Sequence, residues 1–178
     1  MQIKLITISS SCIEFYDFAL LIFLGPVLAK VLFPEAEKQF GLLIILGIFS
    51  LSYFTRILGG LWLGHKGDTQ GRKPSFIQRI VLMTVSTFLI ALLPNFQQAG
   101  YTGLVGLLIL RVIQGLSLGG EVPGAIVFAA EHSKVNQRGL ASGLITAGVT
   151  SGNILASGLL WLMNSSLSAI EIQSWVWR

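Results

Sequence analysis

Residues 64–74 read Gly64-His65-Lys66-Gly67-Asp68-Thr69-Gln70-Gly71-Arg72-Lys73-Pro74, a short charged stretch between two long apolar runs. Its three glycines permit a tight turn with positive φ. Pro74 suits the first turn of a following helix, because its missing N–H costs nothing there. We therefore expect a loop at residues 64–74 that separates two membrane-spanning helices.

The composition of the chain is that of an integral membrane protein. Of the 178 residues, 53% are hydrophobic and only 11% are charged, whereas a soluble domain carries about 25% charged residues. The net charge of +4 does not indicate a nucleic-acid partner, since the basic residues lie at the ends of apolar runs.

Five apolar segments are long enough to cross a bilayer, for which about 20 residues are needed. The fold class expected is therefore an all-α polytopic transmembrane bundle in a single domain, residues 1–178. Pro26 is expected to bend the first span and Pro123 to kink the fourth, because proline removes a helix hydrogen bond. With Gly119 and Gly120 beside it, Pro123 marks a candidate flexible point, and a conformational hinge and a fixed kink both stay open. The expected spans are residues 13–33, 40–64, 75–93, 103–130 and 140–163.

Lysine and arginine predict the orientation in the membrane, because cytoplasmic loops carry an excess of them. Seven basic residues fall on one side of the expected bundle and three on the other. We expect the protein to lie in the inner membrane of the cell. Its N-terminus and residues 64–74 are expected on the cytoplasmic side. The seven are Lys4, Lys66, Arg72, Lys73, Arg79, Lys134 and Arg138, and the three are Lys30, Lys38 and Arg178.

Small residues recur four positions apart in the apolar segments, which allows helix backbones to approach closely. Two interpretations stay open: a surface on which helices slide, or tight static packing. The residues are Gly115 with Gly119, Gly120 with Gly124, and Gly148 with Gly152 and Ala156.

Asp17, Arg56, Arg111 and Glu121 are charged residues well inside the expected spans, where charges are costly and mark transport routes. Counting about 1.5 Å per residue places Asp17, Arg56 and Glu121 on the cytoplasmic side of the midplane, so an ion pair among them is possible. Arg111 falls on the outer side. We hypothesise that Asp17 or Glu121 takes up and releases a proton while an arginine tunes it. The alternative is a static ion pair that only fixes helix packing, and Glu14, near the interface, is a weaker candidate.

No constellation for catalysis or metal binding is present in the sequence. Cys12 is the only cysteine, and His65 and His132 lie in separate segments. The sequence therefore predicts neither an enzyme nor a bound cofactor or metal.

Residues 64–74 resemble the cytoplasmic signature of the major facilitator superfamily: Gly64, Asp68, Gly71, Arg72 and Lys73 match it, and Thr69 departs from its usual basic residue. Further stretches resemble the metabolite:proton symporter branch of that superfamily. They are residues 14–18, 111–115, 119–121, 131–132 and 138–139.

The resemblance implies twelve helices in two halves, with a small metabolite bound near the midplane and protons moving with it. It implies that the first and fourth spans line the cavity, with Asp68 and Arg72 in a cytoplasmic gate. The candidate substrates are dicarboxylates, betaine or proline, and Arg111 is expected to meet a substrate carboxylate. The cavity residues are Asp17, Arg111, Glu121 and Arg56, together with Tyr16 and Gln114 from the same motifs.

The end of the chain, Trp175-Val176-Trp177-Arg178, resembles the motif that leads into a sixth helix. We therefore expect the chain to be the first part of a transporter, which needs a C-terminal half or a partner subunit. The alternative is a non-transporting membrane protein.

Overall fold

The structure is a computed structural model that describes residues 2–34, 38–131, 133–168 and 171. Helices dominate this part of the chain and no strand occurs in it, so the all-α class is confirmed. The expected motif at Trp175–Arg178 lies outside the described residues. The helices are α1 (Gln2–Phe23), α2 (Gly25–Leu32), α3 (Lys38–Gln70), α4 (Arg72–Ala91), α5 (Phe96–Ala99), α6 (Thr102–Leu118), α7 (Glu121–Glu131) and α8 (Arg138–Ser166), with a 3₁₀ turn at Val135–Gln137.

Three helical segments of the described chain are long and apolar enough to cross a membrane: Phe40–Gln70, Thr102–Glu131 and Val135–Ser166. The bent pair Ser11–Phe23 and Gly25–Leu32 makes a fourth if it forms one span. The segment expected as the third span contains a shorter apolar helix, Ile77–Ala91.

The first span bends by 56° where α1 meets α2. The bend expected from Pro26 is confirmed, because Pro26 is the second residue of α2 and has no N–H to continue the α1 ladder. Leu24 joins the two helices: its N–H donates to the Leu20 carbonyl at 2.9 Å, and its carbonyl accepts from Leu28 N–H at 2.9 Å.

The fourth span is interrupted at Gly119 and Gly120, not at Pro123. Gly119 is extended, with φ −61° and ψ 120°, and Gly120 has φ +71°, a value that glycine adopts at little cost. Pro123 is the third residue of α7, where a helix needs no N–H donor. The expected kink at Pro123 is therefore wrong in position, because the proline helps to begin a helix.

The loop expected at residues 64–74 is almost entirely helical, and this expectation is wrong. Helix α3 continues to Gln70, Gly71 with φ +98° makes the turn, and α4 begins at Arg72. Pro74 lies in the first turn of α4, as expected. Only one of the three glycines is thus needed for the reversal of the chain.

Contacts between the ends of α3 and α4 explain why the helix persists. Lys66 Nζ donates to Gln78 Oε1 at 2.6 Å, and Ser75 Oγ donates to the Leu63 carbonyl at 2.8 Å. These bonds hold the last turns of α3 against α4, so the chain reverses over a single residue.

Glycines on α3, α6 and α8 lie where another backbone approaches closely. A Cβ on Gly115 of α6 would overlap Ser52 and Thr55 of α3, and one on Gly152 of α8 would overlap the Cys12 carbonyl of α1. Two of the small-residue positions therefore pack tightly in this conformation. Gly124, in contrast, faces open space.

Candidate functional site

A hydrogen-bonded network of polar side chains joins α1, α4 and α6. Thr87 Oγ1 donates to Asp17 Oδ2 at 3.0 Å. Gln114 Nε2 donates to Thr87 Oγ1 at 3.0 Å and lies 3.4 Å from Asp17 Oδ2. Asp17 is half-buried and Gln114 is fully buried. The Asp17 carboxylate is thus held by two donors from two other helices.

Arg111 extends this network from α6. Its Nη1 donates to Gln114 Oε1 at 3.1 Å, and its guanidinium carbon lies 4.3 Å from the Phe49 ring centroid and 5.6 Å from that of Phe18. The side chain is 1% exposed. Nε and Nη2 have no hydrogen-bond partner in the described part of the chain. Two nitrogens of this buried cation are therefore left to donate to another group.

Asp17 and Arg111 lie much closer together than counting residues predicts. Gln114 contacts both side chains, although the sequence placed Asp17 and Arg111 on opposite sides of the midplane. The Gln114 side chain bridges the two, and the candidate span that contains Asp17 runs from Ser11 to Leu32, close to the expected bounds.

Arg56 does not form an ion pair with Asp17 in this structure, although the sequence allowed one among Asp17, Arg56 and Glu121. Its guanidinium carbon lies 4.7 Å from the Phe18 ring centroid, 5.1 Å from that of Tyr53 and 5.7 Å from that of Phe15. Aromatic faces attract a cation, and they take the place of a carboxylate here. The spacing of Tyr53 three residues before Arg56 on α3 is the sequence signal for this contact.

The remaining expected cavity residues are only partly described. Tyr16 is half-buried on α1 beside Asp17. Glu121 begins α7, but its side chain lies outside the described part, so its expected ion pair is not addressed.

The expected gate residues lie at the α3–α4 turn. Asp68 is exposed, and Gly64 is helical with open space around it. The side chains of Arg72 and Lys73 are outside the described part of the chain. The contact between Lys66 and Gln78 was not predicted, because it depends on how α3 and α4 pack.

In the network, the Asp17 carboxylate lies on one side of the Gln114 amide and the Arg111 guanidinium lies on the other. A proton added to Asp17 would remove the charge that Gln114 and Thr87 stabilise, and the Thr87 hydroxyl can then reverse and accept. Such an exchange of donors would alter the hydrogen bonds by which α1 contacts α4 and α6. Among the described residues no group of three His, Cys, Asp or Glu side chains that could hold a metal occurs.

The chain matches known transporters along its length. A family model described as "Sugar (and other) transporter" matches residues 3–178. The chain is 35% identical to the proline/betaine transporter of Escherichia coli (strain K12) over 177 residues, 98% of this chain and 35% of the relative. It is 32% identical to the shikimate transporter of the same strain over 171 residues, 96% of this chain and 39% of the relative.

A third relative is the glycine betaine/proline/ectoine/pipecolic acid transporter OusA of Dickeya dadantii (strain 3937), which is 32% identical over 168 residues. That alignment covers 94% of this chain and 34% of the relative. The chain therefore spans between 34% and 39% of the length of these three relatives. No solved structure matches the chain.

Proposed function

Because the chain belongs to the Sugar (and other) transporter family of the major facilitator superfamily, we propose that it forms part of a proton-coupled symporter. Membership of this family supports a role in transport across a membrane. The proposed cargo is a small organic metabolite, carried by alternating access of two halves around a site near the midplane. The proposed location is the inner membrane, with the N-terminus in the cytoplasm.

The observation that carries this proposal is the buried network of Asp17, Thr87, Gln114 and Arg111. Polar and charged groups inside a membrane bundle are expensive and mark transport routes. Asp17 is the proposed proton carrier, because it is the carboxylate in this network and is only half-buried. A proton can therefore reach it without unpacking the bundle.

Arg111 is the proposed contact for a substrate carboxylate. Its Nε and Nη2 groups have no partner among the described residues, and a guanidinium binds a carboxylate through two parallel hydrogen bonds. Proline, betaine and shikimate, which are named for the relatives, each carry one carboxylate. This shared group supports a carboxylate-bearing substrate, and dicarboxylates remain in the same class.

The other cavity and gate residues have supporting roles in this proposal. Arg56 and Tyr16 flank the network, and Glu121 is a second candidate for proton exchange. Asp68 and Arg72 are proposed to form a cytoplasmic gate against the second half of the transporter, with Gly64, Gly71 and Lys73 in the same segment.

Uptake into proteoliposomes tests the proposal. Radiolabelled proline, glycine betaine, shikimate and succinate are offered with and without an inward proton gradient. We expect the gradient to drive accumulation of at least one substrate, and Asp17→Asn to abolish that accumulation. Glu131→Gln is the matched control, because Glu131 is exposed at the end of α7. Uptake that ignores the gradient, or equal accumulation by Asp17→Asn, would refute proton coupling through Asp17.

A second candidate role is that of a half-transporter that works only with a partner half. The observation that favours it is the share of the relatives' length that the chain spans, between 34% and 39%. The mass of the native product extracted from membranes separates the two roles. A product near 19.3 kDa would favour the half-transporter, and a much larger product would favour a single-chain symporter.

A further inference from the structure

Glu14 is a buried carboxyl that the network around Asp17 does not use. Its side chain is 5% exposed, and both carboxyl oxygens lack a hydrogen-bond partner in the described part of the chain. Ser11, one turn earlier on α1, is fully buried, and its Oγ also has no partner there. Two polar groups on neighbouring turns of α1 are therefore withdrawn from solvent and unsatisfied.

Three buried or half-buried arginines lie on the helices around α1, on α3, α4 and α6. Arg56 of α3 lies against Phe15, Phe18 and Tyr53, and Arg111 of α6 bonds Gln114. Arg79 of α4 is buried, and its Nε has no partner among the described residues.

None of these arginines forms an ion pair with Glu14, whose oxygens have no described partner. Helix α8, which packs along α1, meets it through the uncharged Gly152 and carries a charge only at Arg138, its first residue. The side chain of Glu121 on α7 lies outside the described residues.

An ionised carboxylate in such a place lacks both water and a counter-charge, which is far more costly than a neutral carboxyl. The neutral form leaves only one O–H donor to satisfy, and the Ser11 hydroxyl one turn away is a candidate acceptor. Asp17 differs, because Thr87 and Gln114 donate to it and offset part of the cost of burying its charge. The two carboxyls of α1 therefore lie in opposite environments.

We infer that Glu14 is a second proton-binding residue, which holds a proton in this conformation, whereas Asp17 one turn later has hydrogen-bond donors that can stabilise a carboxylate. Residues three apart on a helix are neighbours on its surface, so α1 carries two proton sites along one path. In a transport cycle, Glu14 first releases its own proton toward the N-terminal end of α1, and the carboxylate that this leaves then accepts a proton from protonated Asp17. The role of Glu14 in moving protons rests on the proposed proton-coupled function. Its protonation state can be tested independently of that function.

Infrared spectroscopy of the 178-residue chain in lipid nanodiscs at neutral pH tests the inference. A protonated carboxyl gives a C=O band separate from that of carboxylates. We expect this band in the wild type, with a shift when the water is replaced by D₂O. We also expect a ¹³C shift when glutamate is labelled, and none when aspartate is labelled. Isotope labelling needs no substitution, so this test remains valid even if a variant fails to fold.

The substitutions then assign the band to one residue. We expect Glu14→Gln to remove it, and Asp17→Asn and Glu131→Gln to retain it. Absence of the band in the wild type, a shift on aspartate labelling instead of glutamate labelling, or its persistence in Glu14→Gln would overturn the inference. Failure of the proposed function would show separately, as the absence of gradient-driven uptake with the infrared band still present.

Discussion

Gln114 connects the two charged side chains of the network, and its amide suits both of them. The NH₂ group lies toward Asp17 and Thr87, while the oxygen accepts from Arg111. A side-chain amide offers donors on its nitrogen and an acceptor on its oxygen. The charges of Asp17 and Arg111 can therefore influence each other without direct contact.

Thr87 should contribute measurable stability through its bond to Asp17. We expect Thr87→Val to lower the free energy of unfolding by about 1.5–3 kcal/mol, the range for a hydrogen bond to a charged group. Thr87→Ser keeps the hydroxyl and should lie closer to the wild type. Thermal unfolding in detergent measures the change, with Thr146→Val as control because Thr146 is exposed and bonds only its own helix. Equal effects at Thr87 and Thr146 would contradict the network.

The sequence predicted some of these residues but not Thr87. Asp17, Gln114 and Arg111 stand out as polar groups within apolar segments and within family motifs. A threonine in an apolar helix does not, because hydroxyls there commonly bond the carbonyl four residues earlier. Ser86, its neighbour, does so with the Leu82 carbonyl at 2.7 Å. Only the approach of α1 to α4 distinguishes Thr87 from Ser86.

Helix α6 packs against α3 through glycines that leave no room for a side chain. A Cβ on Gly59 of α3 would overlap Leu116, and one on Gly119, directly after α6, would overlap Arg56 and Gly60. Such contacts bring the two backbones together, where van der Waals packing holds membrane helices. They also fix the height at which Arg56 and Arg111 face the Phe18 ring.

Substitution within this helix pair should separate tight glycines from free ones. We expect Gly115→Ala to destabilise the bundle by about 1–3 kcal/mol, the usual cost of overpacking, because its Cβ would overlap Ser52 and Thr55. Gly124→Ala, on the same span, meets open space and should be neutral or slightly stabilising. Unfolding in detergent compares the two variants. A neutral Gly115→Ala would show that α3 and α6 are not closely packed in the membrane.

At the level of helices, the sequence predicted the apolar segments better than their interruptions. By the rule that proline interrupts a helix, Pro26 and Pro123 should both bend a span, yet only Pro26 lies at a bend. Gly119 and Gly120 offer a break just before Pro123, so the proline falls in the first turn of a new helix. The choice depends on how α6 fits against α3, which the pattern of one segment does not contain.

For the molecule as a whole, the interface of α1 with α4 and α6 differs from the interface of α1 with α8. Helix α1 lies against α8 through the close approach at Gly152, whereas it meets α4 and α6 through the polar side chains of the network. Composition predicted a membrane bundle, and residue types predicted charges inside it. Which helices meet across the charges depends on tertiary packing, so the link between Asp17 and Arg111 through Gln114 could not be predicted from single helices.

The central claim is that protons move with substrate through Asp17. The measurement is the internal pH of proteoliposomes, followed with an enclosed dye while proline or glycine betaine is added outside. The account predicts that substrate acidifies the lumen with wild-type protein and fails to do so with Asp17→Asn. Acidification by Asp17→Asn equal to the wild type, or substrate entry without acidification in the wild type, would contradict it.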